Sequence, residues 1–376
     1  MAAGVPMTSA ANQSGIDRAS RMRLRDMHDY ARELRDELPA EIFRRRPSRL
    51  GWLVLHGAVI VALTAVVLDT APPWWAALLC AVAIGHSWGC LGFLAHETLH
   101  HAVTGSRALE RAVGYLAFLP YATSPTLWTA WHNQTHHAHT GHLVGDTDQY
   151  GTLAVWRSNP YLRRLEAIAP GSGGWPSWFF LPTAFTVQAW VVLLLQSERK
   201  GFYRRISRRA VWLETGSMIA LWGLWLALIG PYNFLFLGLI PMLTGNAMLM
   251  SYIATNHYLN PLTSTNDPLV NTLSVRDPAW LETLHLQFGY HVEHHIFPTM
   301  SARHAPLVRE VLIRRYGDRY LSLPHLRALR LVYARPKVHR DAATLVDPRS
   351  GATYRALAPG QLELTRLPET TAAIAR

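Results

Sequence analysis

The stretch WWAALLCAVAIGHSWGCLGFLAHETLHH, residues 74–101, joins an apolar run to a histidine cluster with no spacer between them. About 20 apolar residues suffice to cross a bilayer, and the run over 74–95 reaches that length. Trp74 and Trp75 open it, as suits the aromatic belt at a membrane surface. Another apolar run, 51–69, precedes it, with a turn from Asp69 to Pro73. The chain thus goes out, comes back, and delivers His96 to the side where it started. Two later runs, 211–229 and 232–255, are parted only by Gly230 and Pro231 and read as a second hairpin. Residues 111–123 are apolar but too short to span, and read as interfacial or re-entrant. Residues 178–195 are apolar enough to tempt the same reading as the spans. They lead, however, into Glu198-Arg199-Lys200, Arg204, Arg205, Arg208 and Arg209. Dense Arg and Lys belong on the cytoplasmic side, and a span there would put this loop outside. Pro182 and Gln188 weaken the run further, so an interfacial helix is expected. The expected fold is an all-α integral membrane protein with four transmembrane helices in two hairpins. A helical cap carrying the histidine clusters, together with both termini, would face the cytoplasm.

The 376 residues are 49% hydrophobic and 16% charged, against about 25% charged in an ordinary globular domain. The formal charge is +11. It is almost all Arg, since Lys200 and Lys337 are the only lysines. Such an excess suits nucleic acid, anionic lipid or an acidic protein partner. The apolar spans favour the last two, and no nucleic-acid fold signature is present. Cys80 and Cys90 are the only cysteines. They form no disulfide framework and no thiolate metal site, and read as small buried apolar residues. The first 50 residues lack an apolar core, so no cleaved signal peptide is expected. Residues 1–16 are small and polar and read as disordered, and 17–48 as an amphipathic cytoplasmic helix ending near Pro47. Three segments follow: an N-terminal one over 1–48, a membrane body over 49–330 and a polar C-terminal tail over 331–376.

Of 19 histidines, many fall in three clusters: His96-Glu97-Thr98-Leu99-His100-His101, His132-Asn133-Gln134-Thr135-His136-His137 and His291-Val292-Glu293-His294-His295. Residues three or four apart share a helix face. His96 then pairs with His100 and His132 with His136, with His137 alongside, and His291 pairs with His294 and His295. Either His100 or His101 serves in the first cluster. Eight converging imidazoles exceed the four ligands that one zinc ion takes, so two metal ions are the natural count. All three clusters lie at or beyond span ends, where polar groups escape the cost of lipid burial. His56 and His86 sit within spans and read as packed or hydrogen-bonded. His139 and His142 read as outer supports or surface residues, and His285, His304 and His325 as structural.

The boxes HETLHH, HNQTHH and HVEHHIFP, separated by about 30 and then about 150 residues, resemble the three histidine boxes of the membrane fatty acid desaturase and hydroxylase superfamily. The resemblance covers residues 50–315. It implies a non-haem di-iron site on the cytoplasmic side of four transmembrane helices, molecular oxygen as co-substrate, and electrons from ferredoxin or a cytochrome b5-type donor. Carried over by position, it makes His96, His100, His132, His136, His137, His291, His294 and His295 iron ligands. Members often add one more His at the end of the last span, where His257 stands. Asn256 beside it is a candidate to hold a water near the metal.

Neutral imidazoles leave a metal pair cationic, so nearby carboxylates are expected to accept the outward imidazole N–H groups. Glu97 and Glu293 lie inside the boxes and lead the candidates, followed by Asp146 and Asp148. Aromatic residues around Trp128, Trp131, Tyr150, Trp175 and Trp178 could line an acyl channel or only anchor and pack. No fused cytochrome domain or nicotinamide or flavin fingerprint is visible, so a separate acidic carrier on the Arg-rich face fits the charge. The substrate would be an acyl lipid or acyl thioester and the membrane a bacterial inner membrane. The expected reaction is desaturation, with hydroxylation of a lipid, alkane or carotenoid on the same scaffold as the alternative. His291 stands where front-end desaturases typically carry Gln, which disfavours that subclass. A metal transporter would place its ligands near mid-membrane, and here they lie past the span ends.

Overall fold

The computed structural model describes residues 24–143, 145–147 and 149–358. The disorder expected over 1–16 and the site candidate Asp148 lie outside those residues. Of the amphipathic helix expected over 17–48, the described part is helical at α1 (Met27–Arg35), which Asp26 caps by accepting from the His28 amide. Pro39 then starts a short 3-10 turn, Ala40–Phe43.

A 3-10 turn from Pro47 leads into α2 (Gly51–Thr70), and Pro73 starts α3 (Trp74–Leu99). At 1.5 Å per residue α3 is about 39 Å long, more than the roughly 30 Å of a bilayer's hydrocarbon core. Its last turns therefore have length to spare beyond the apolar layer, and burial follows that division. Most residues of its first half are open, whereas nearly all from Ile84 to Leu99 are buried. The α4 helix (Arg107–Phe118), capped by Ser106, packs back on α3. Further on come α5 (Phe180–Val191), α6 (Arg208–Phe234) and α7 (Ile240–His257).

Among the described residues, four helical stretches are long and apolar enough to cross a membrane: Pro47–Thr70, Trp74–Leu99, Trp175–Gln196 and Arg208–His257. Two of these differ from the sequence reading. Trp175–Gln196 meets the measure of length and apolarity, although the Arg-rich loop after it argued for an interfacial helix. It is also irregular, with a 3-10 turn before α5 and a π turn after it. Arg208–His257 counts as one stretch where two spans were expected. It is broken at Gly230, whose φ of 76° and ψ of 165° are not helical and precede Pro231. Across the break the Trp222 ring meets Phe234, and Trp225 Nε1 donates to the Leu237 carbonyl.

The most extensive helix pairing joins α3 to α7. Gly85, Gly89 and Gly92 form a seam of minimal side chains that lets the two backbones approach, as small residues do in membrane helix pairs. A Cβ on Gly85 would stand 2.5 Å from the Pro241 carbonyl oxygen, and one on Gly92 2.9 Å from Leu249. Beyond α7 the chain builds a cap from α8 (His291–Ile296), α9 (Ala305–Tyr316) and α10 (His325–Ala334). A parallel pair, β1 (Ser274–Arg276) with β2 (Ser322–Pro324), ties its two ends together. The strands β3 (Val338–Asp341), β4 (Thr344–Val346) and β5 (Thr353–Arg355) form an antiparallel sheet whose Leu345 joins the main core. The α1 helix packs on α8 and α9, with Tyr30 edge-on to Tyr316.

Because the atom opposite Gly85 is backbone, it cannot rotate aside. Gly85→Val should therefore push α3 off α7 and cost about 1–3 kcal/mol, as overpacking does. Thermal melting of the detergent-solubilised protein tests this, and an unchanged midpoint would contradict the tight seam.

Candidate metal centre

The first box sits at the end of α3, where His96 and His100 are one turn apart and both buried. His100 faces the other boxes, its ring 4.5 Å from that of His137. His101 turns away: its φ is 66°, its Nδ1 is 2.8 Å from Glu110 and Arg107 lies against the ring. Of the two alternatives left by the sequence, only His100 lies in the cluster.

The second box departs from α-helical geometry. Thr129–His136 is a π-helix, whose wider turn aligns residues five apart. His132 and His137 accordingly face one group of imidazoles, with Nε2 atoms 3.2 Å apart, while His136 points to another. The third box divides similarly. On α8, His291 and His295 lie together with Nε2 atoms 3.2 Å apart, and His294 reaches across to within 3.1 Å of His137 Nε2.

Two clusters result. His96, His100, His132, His137 and His294 place one nitrogen each within 4.8 Å of one another, and His136, His257 and His295 do the same. His291 adjoins the second cluster, its Nε2 2.7 Å from His257 Nε2. Each cluster is able to hold a metal ion. The donor chemistry fits, since imidazole serves iron, copper, nickel and zinc. His96 and His132 oppose their Nε2 atoms at 3.1 Å, and His100 Nε2 is buried with no hydrogen-bond partner among the described residues.

Outer contacts orient several rings. His136 Nδ1 donates to Asp146 Oδ1 at 2.8 Å, both side chains fully buried, and Asp146 Oδ2 accepts from the Gly141 amide. Thr140 donates to the His136 carbonyl, leaving its oxygen to accept from His295 Nδ1 at 3.3 Å. Trp128 stacks on His132 at 4.3 Å. Glu97 and Glu293 have other partners. Glu97 accepts from Arg49 and Ser301, and Glu293 from Ser274, Arg309 and Tyr320. On their helices these carboxylates leave the imidazole face and fasten the boxes to α9, to the loop before it and to the chain entering α2. Asn256 is fully buried, and neither its Oδ1 nor its Nδ2 has a hydrogen-bond partner among the described residues. Arg49, Ser274, Arg309 and Tyr320 carry no motif, and the sequence reading missed them. Arg49 gives one signal, the last cation before the first apolar run.

A narrow cavity opens on both clusters, lined by His96, His132, His257 and His291 together with Phe118, Trp128, Trp131, Phe185, Leu249 and Phe288. A second, roomier one is lined by Tyr150, Leu162, Phe180, Val187, Tyr258 and others, and Gln188 borders both. Trp175 and Trp178 lie on the surface.

Residues 72–327 match the fatty acid desaturase family model, a span that holds all three boxes and His257. The chain belongs to the fatty acid desaturase family. It is 24% identical to a chloroplastic omega-6 fatty acid desaturase of Spinacia oleracea, over 78% of this chain and 65% of the spinach protein. It is 25% identical to an endoplasmic reticulum omega-6 fatty acid desaturase of Brassica juncea, over 77% of this chain and 81% of that one. A Delta(5) fatty acid desaturase of Caenorhabditis elegans is 25% identical over 61% of this chain and 56% of its own. The chain spans 65% of the first relative's length, and the two plant relatives are named omega-6 desaturases whereas the nematode one is named a Delta(5) desaturase.

In this desaturase-family chain burial keeps the imidazoles neutral, as metal binding requires. Burial first, and then neighbouring imidazoles, hold His100, His132, His137, His291 and His295 well below the ordinary 6.5. His294 is pushed down to about 3, chiefly by burial. The unfolded chain takes up protons as pH falls through 6.5 while the folded chain does not. Stability contributed by these groups is thus present above pH 6.5 and declines as pH falls toward 3. Melting temperatures of metal-stripped protein should decrease over that interval, and a flat profile would contradict the burial. Asp146→Asn should weaken metal retention about 10–100-fold, the usual cost of losing an orienting carboxylate. Metal competition assays test it, and unchanged affinity would show that His136 is held by other means.

Proposed function

We propose that this protein is an oxygen-dependent acyl-chain desaturase whose metal ligands are His96, His100, His132, His136, His137, His257, His291, His294 and His295. The observation that carries the reading is the apolar cavity bounded by imidazoles of both clusters. Its lining suits a hydrocarbon, since apart from the imidazoles and Gln188 it is aromatic and aliphatic. Two iron ions held there would supply, with oxygen, the oxidant that an unactivated methylene requires. The reaction turns a methylene pair into a double bond. Oxygen takes up two electrons and two protons from outside and, with the two hydrogens removed, leaves as two waters.

The chain's own residues bind, orient and exclude water. Phe118, Phe185, Leu249 and Phe288 hold the methylene pair beside the imidazoles, so that positioning supplies much of the rate. Asp146 and Thr140 keep His136 and His295 turned inward. The larger cavity beyond Gln188 accommodates the rest of the acyl chain. Electrons come from a separate acidic carrier. Arg44, Arg45 and Arg107 surround His101, the residue next in sequence to His100, and make that surface a fitting dock. The substrate is an acyl lipid or thioester. We read the membrane as a bacterial inner membrane, with the body over 49–330 spanning it as two hairpins. The first turns at Ala71–Pro73 and the second at Gly230, where the contacts across the break support a reversal. Trp175–Gln196 then lies along the interface, leaving the centre on the cytoplasmic side with the Arg-rich loop.

Expression in a host followed by fatty acid methyl ester profiling tests the reaction. A new double bond is expected, lost in His294→Ala, and an inserted oxygen would instead assign a hydroxylase. Gln188→Trp should narrow the passage between the cavities and cut product at least about tenfold, or shift it to shorter chains, with bound metal unchanged. An unaltered product profile would exclude the passage as the acyl path.

A further inference from the structure

A third group of donors lies outside the nine-histidine centre. His86 and Cys90 stand one turn apart on α3 and face His285, which follows the short helix Ala279–Leu284. His86 Nε2 and His285 Nε2 are 3.1 Å apart, and Cys90 Sγ is 3.9 and 4.0 Å from the two His86 nitrogens. The stacked rings of Phe93 and Phe288, 4.3 Å apart, stand between this group and the main centre: Phe93 meets His285 and Phe288 meets His96.

The hydrogen-bond inventory fixes which nitrogen of His285 is free to bind. The Tyr252 hydroxyl donates to Asp277 at 2.7 Å and so accepts from His285 Nδ1 at 2.8 Å. His325 Nδ1 also donates to Asp277. His285 therefore carries its proton on Nδ1 and aims a bare Nε2 at His86. A ring oriented this way, through a hydroxyl to a carboxylate, has the outer support typical of metal-bound histidine. The opposed Nε2 atoms match the spacing seen throughout the nine-histidine centre. Nearby, His56 on α2 is buried with neither nitrogen partnered among the described residues, and its ring is 6.5 Å from that of His86. An unsatisfied buried polar group costs about 1–3 kcal/mol, and polar groups inside apolar spans are functional candidates by default.

We propose that His86, Cys90 and His285, with His56 as fourth ligand, bind one zinc-type divalent cation distinct from the centre at the three boxes. The donor set is three imidazole nitrogens and one thiolate, which suits a closed tetrahedral zinc site. Binding releases one proton, from the Cys90 thiol, and the negative charge of Asp277 is relayed through Tyr252. The ion staples α2 to α3 and both to the turn at His285. This reading does not depend on the proposed reaction. It also gives Cys90 a role beyond the small apolar packing that its sequence context suggests.

With only two cysteines in the chain, cobalt(II) provides a clean probe. The full-length protein in detergent is stripped by a chelator and titrated with Co2+. The wild type should show a near-ultraviolet thiolate-to-cobalt charge-transfer band, suppressed by excess Zn2+. The band should persist in Cys80→Ser and vanish in Cys90→Ser, while visible absorption from the all-histidine centre remains in both and reports that they are folded. A wild-type spectrum without the thiolate band overturns the proposal, as does a band that survives Cys90→Ser.

Discussion

Nine imidazoles, seven buried and two half-buried, turn ring nitrogens toward one another at the top of helices that are otherwise apolar, and that convergence constrains the rest of the molecule. Burial disfavours the charged form of His100, His132, His137, His291 and His295, and neighbouring rings disfavour it further. Neutral rings crowded in this way are poor company for one another but good ligands for a cation. The long α3 helix, the π turn in the second box and the short α8 helix make sense as devices that aim nitrogens inward while the outer faces find protein partners. Asp146, Thr140 and Trp128 hold His136, His295 and His132 from behind.

A second set of contacts fixes the frame rather than the rings. Glu97 binds Arg49 where the chain enters α2, and Ser301 on the way into α9. Glu293 binds Arg309 and Tyr320, and through Ser274 meets the backbone of its own helix. These buried carboxylates join the boxes to distant segments and so tie the cap to the apolar helices around the cavity. Removing one partner of such a buried pair is far more damaging than its net contribution suggests, because the other charge is left uncompensated. The same economy governs the group at His86, where Asp277 acts on His285 through Tyr252.

Much of this was legible in the sequence. The apolar runs at 51–69 and 74–95, the break at Gly230-Pro231 and the three histidine boxes rest on composition and local spacing, which the chain carries openly. The division of the boxes was not. A period of 3.6 pairs His132 with His136, whereas the π-helix pairs His132 with His137, because one inserted residue widens the turn. The partners of Glu97 and Glu293 were hidden too, since they come from positions with no motif and large sequence separation. Trp175–Gln196 shows a different limit: length and apolarity make it a candidate span, while the charge after it argues otherwise. Cys90 is buried as its apolar context suggests, whereas its grouping with His86 and His285 was hidden, since His285 lies far along the chain.

The central claim is that the imidazoles of the three boxes and His257 hold a pair of irons. Elemental analysis of protein purified in an active state, with product formation measured on the same preparation, tests it most directly. Two irons per chain, lost together with activity on chelation and restored together by ferrous iron, is the result expected. Active protein that contains no iron would contradict it.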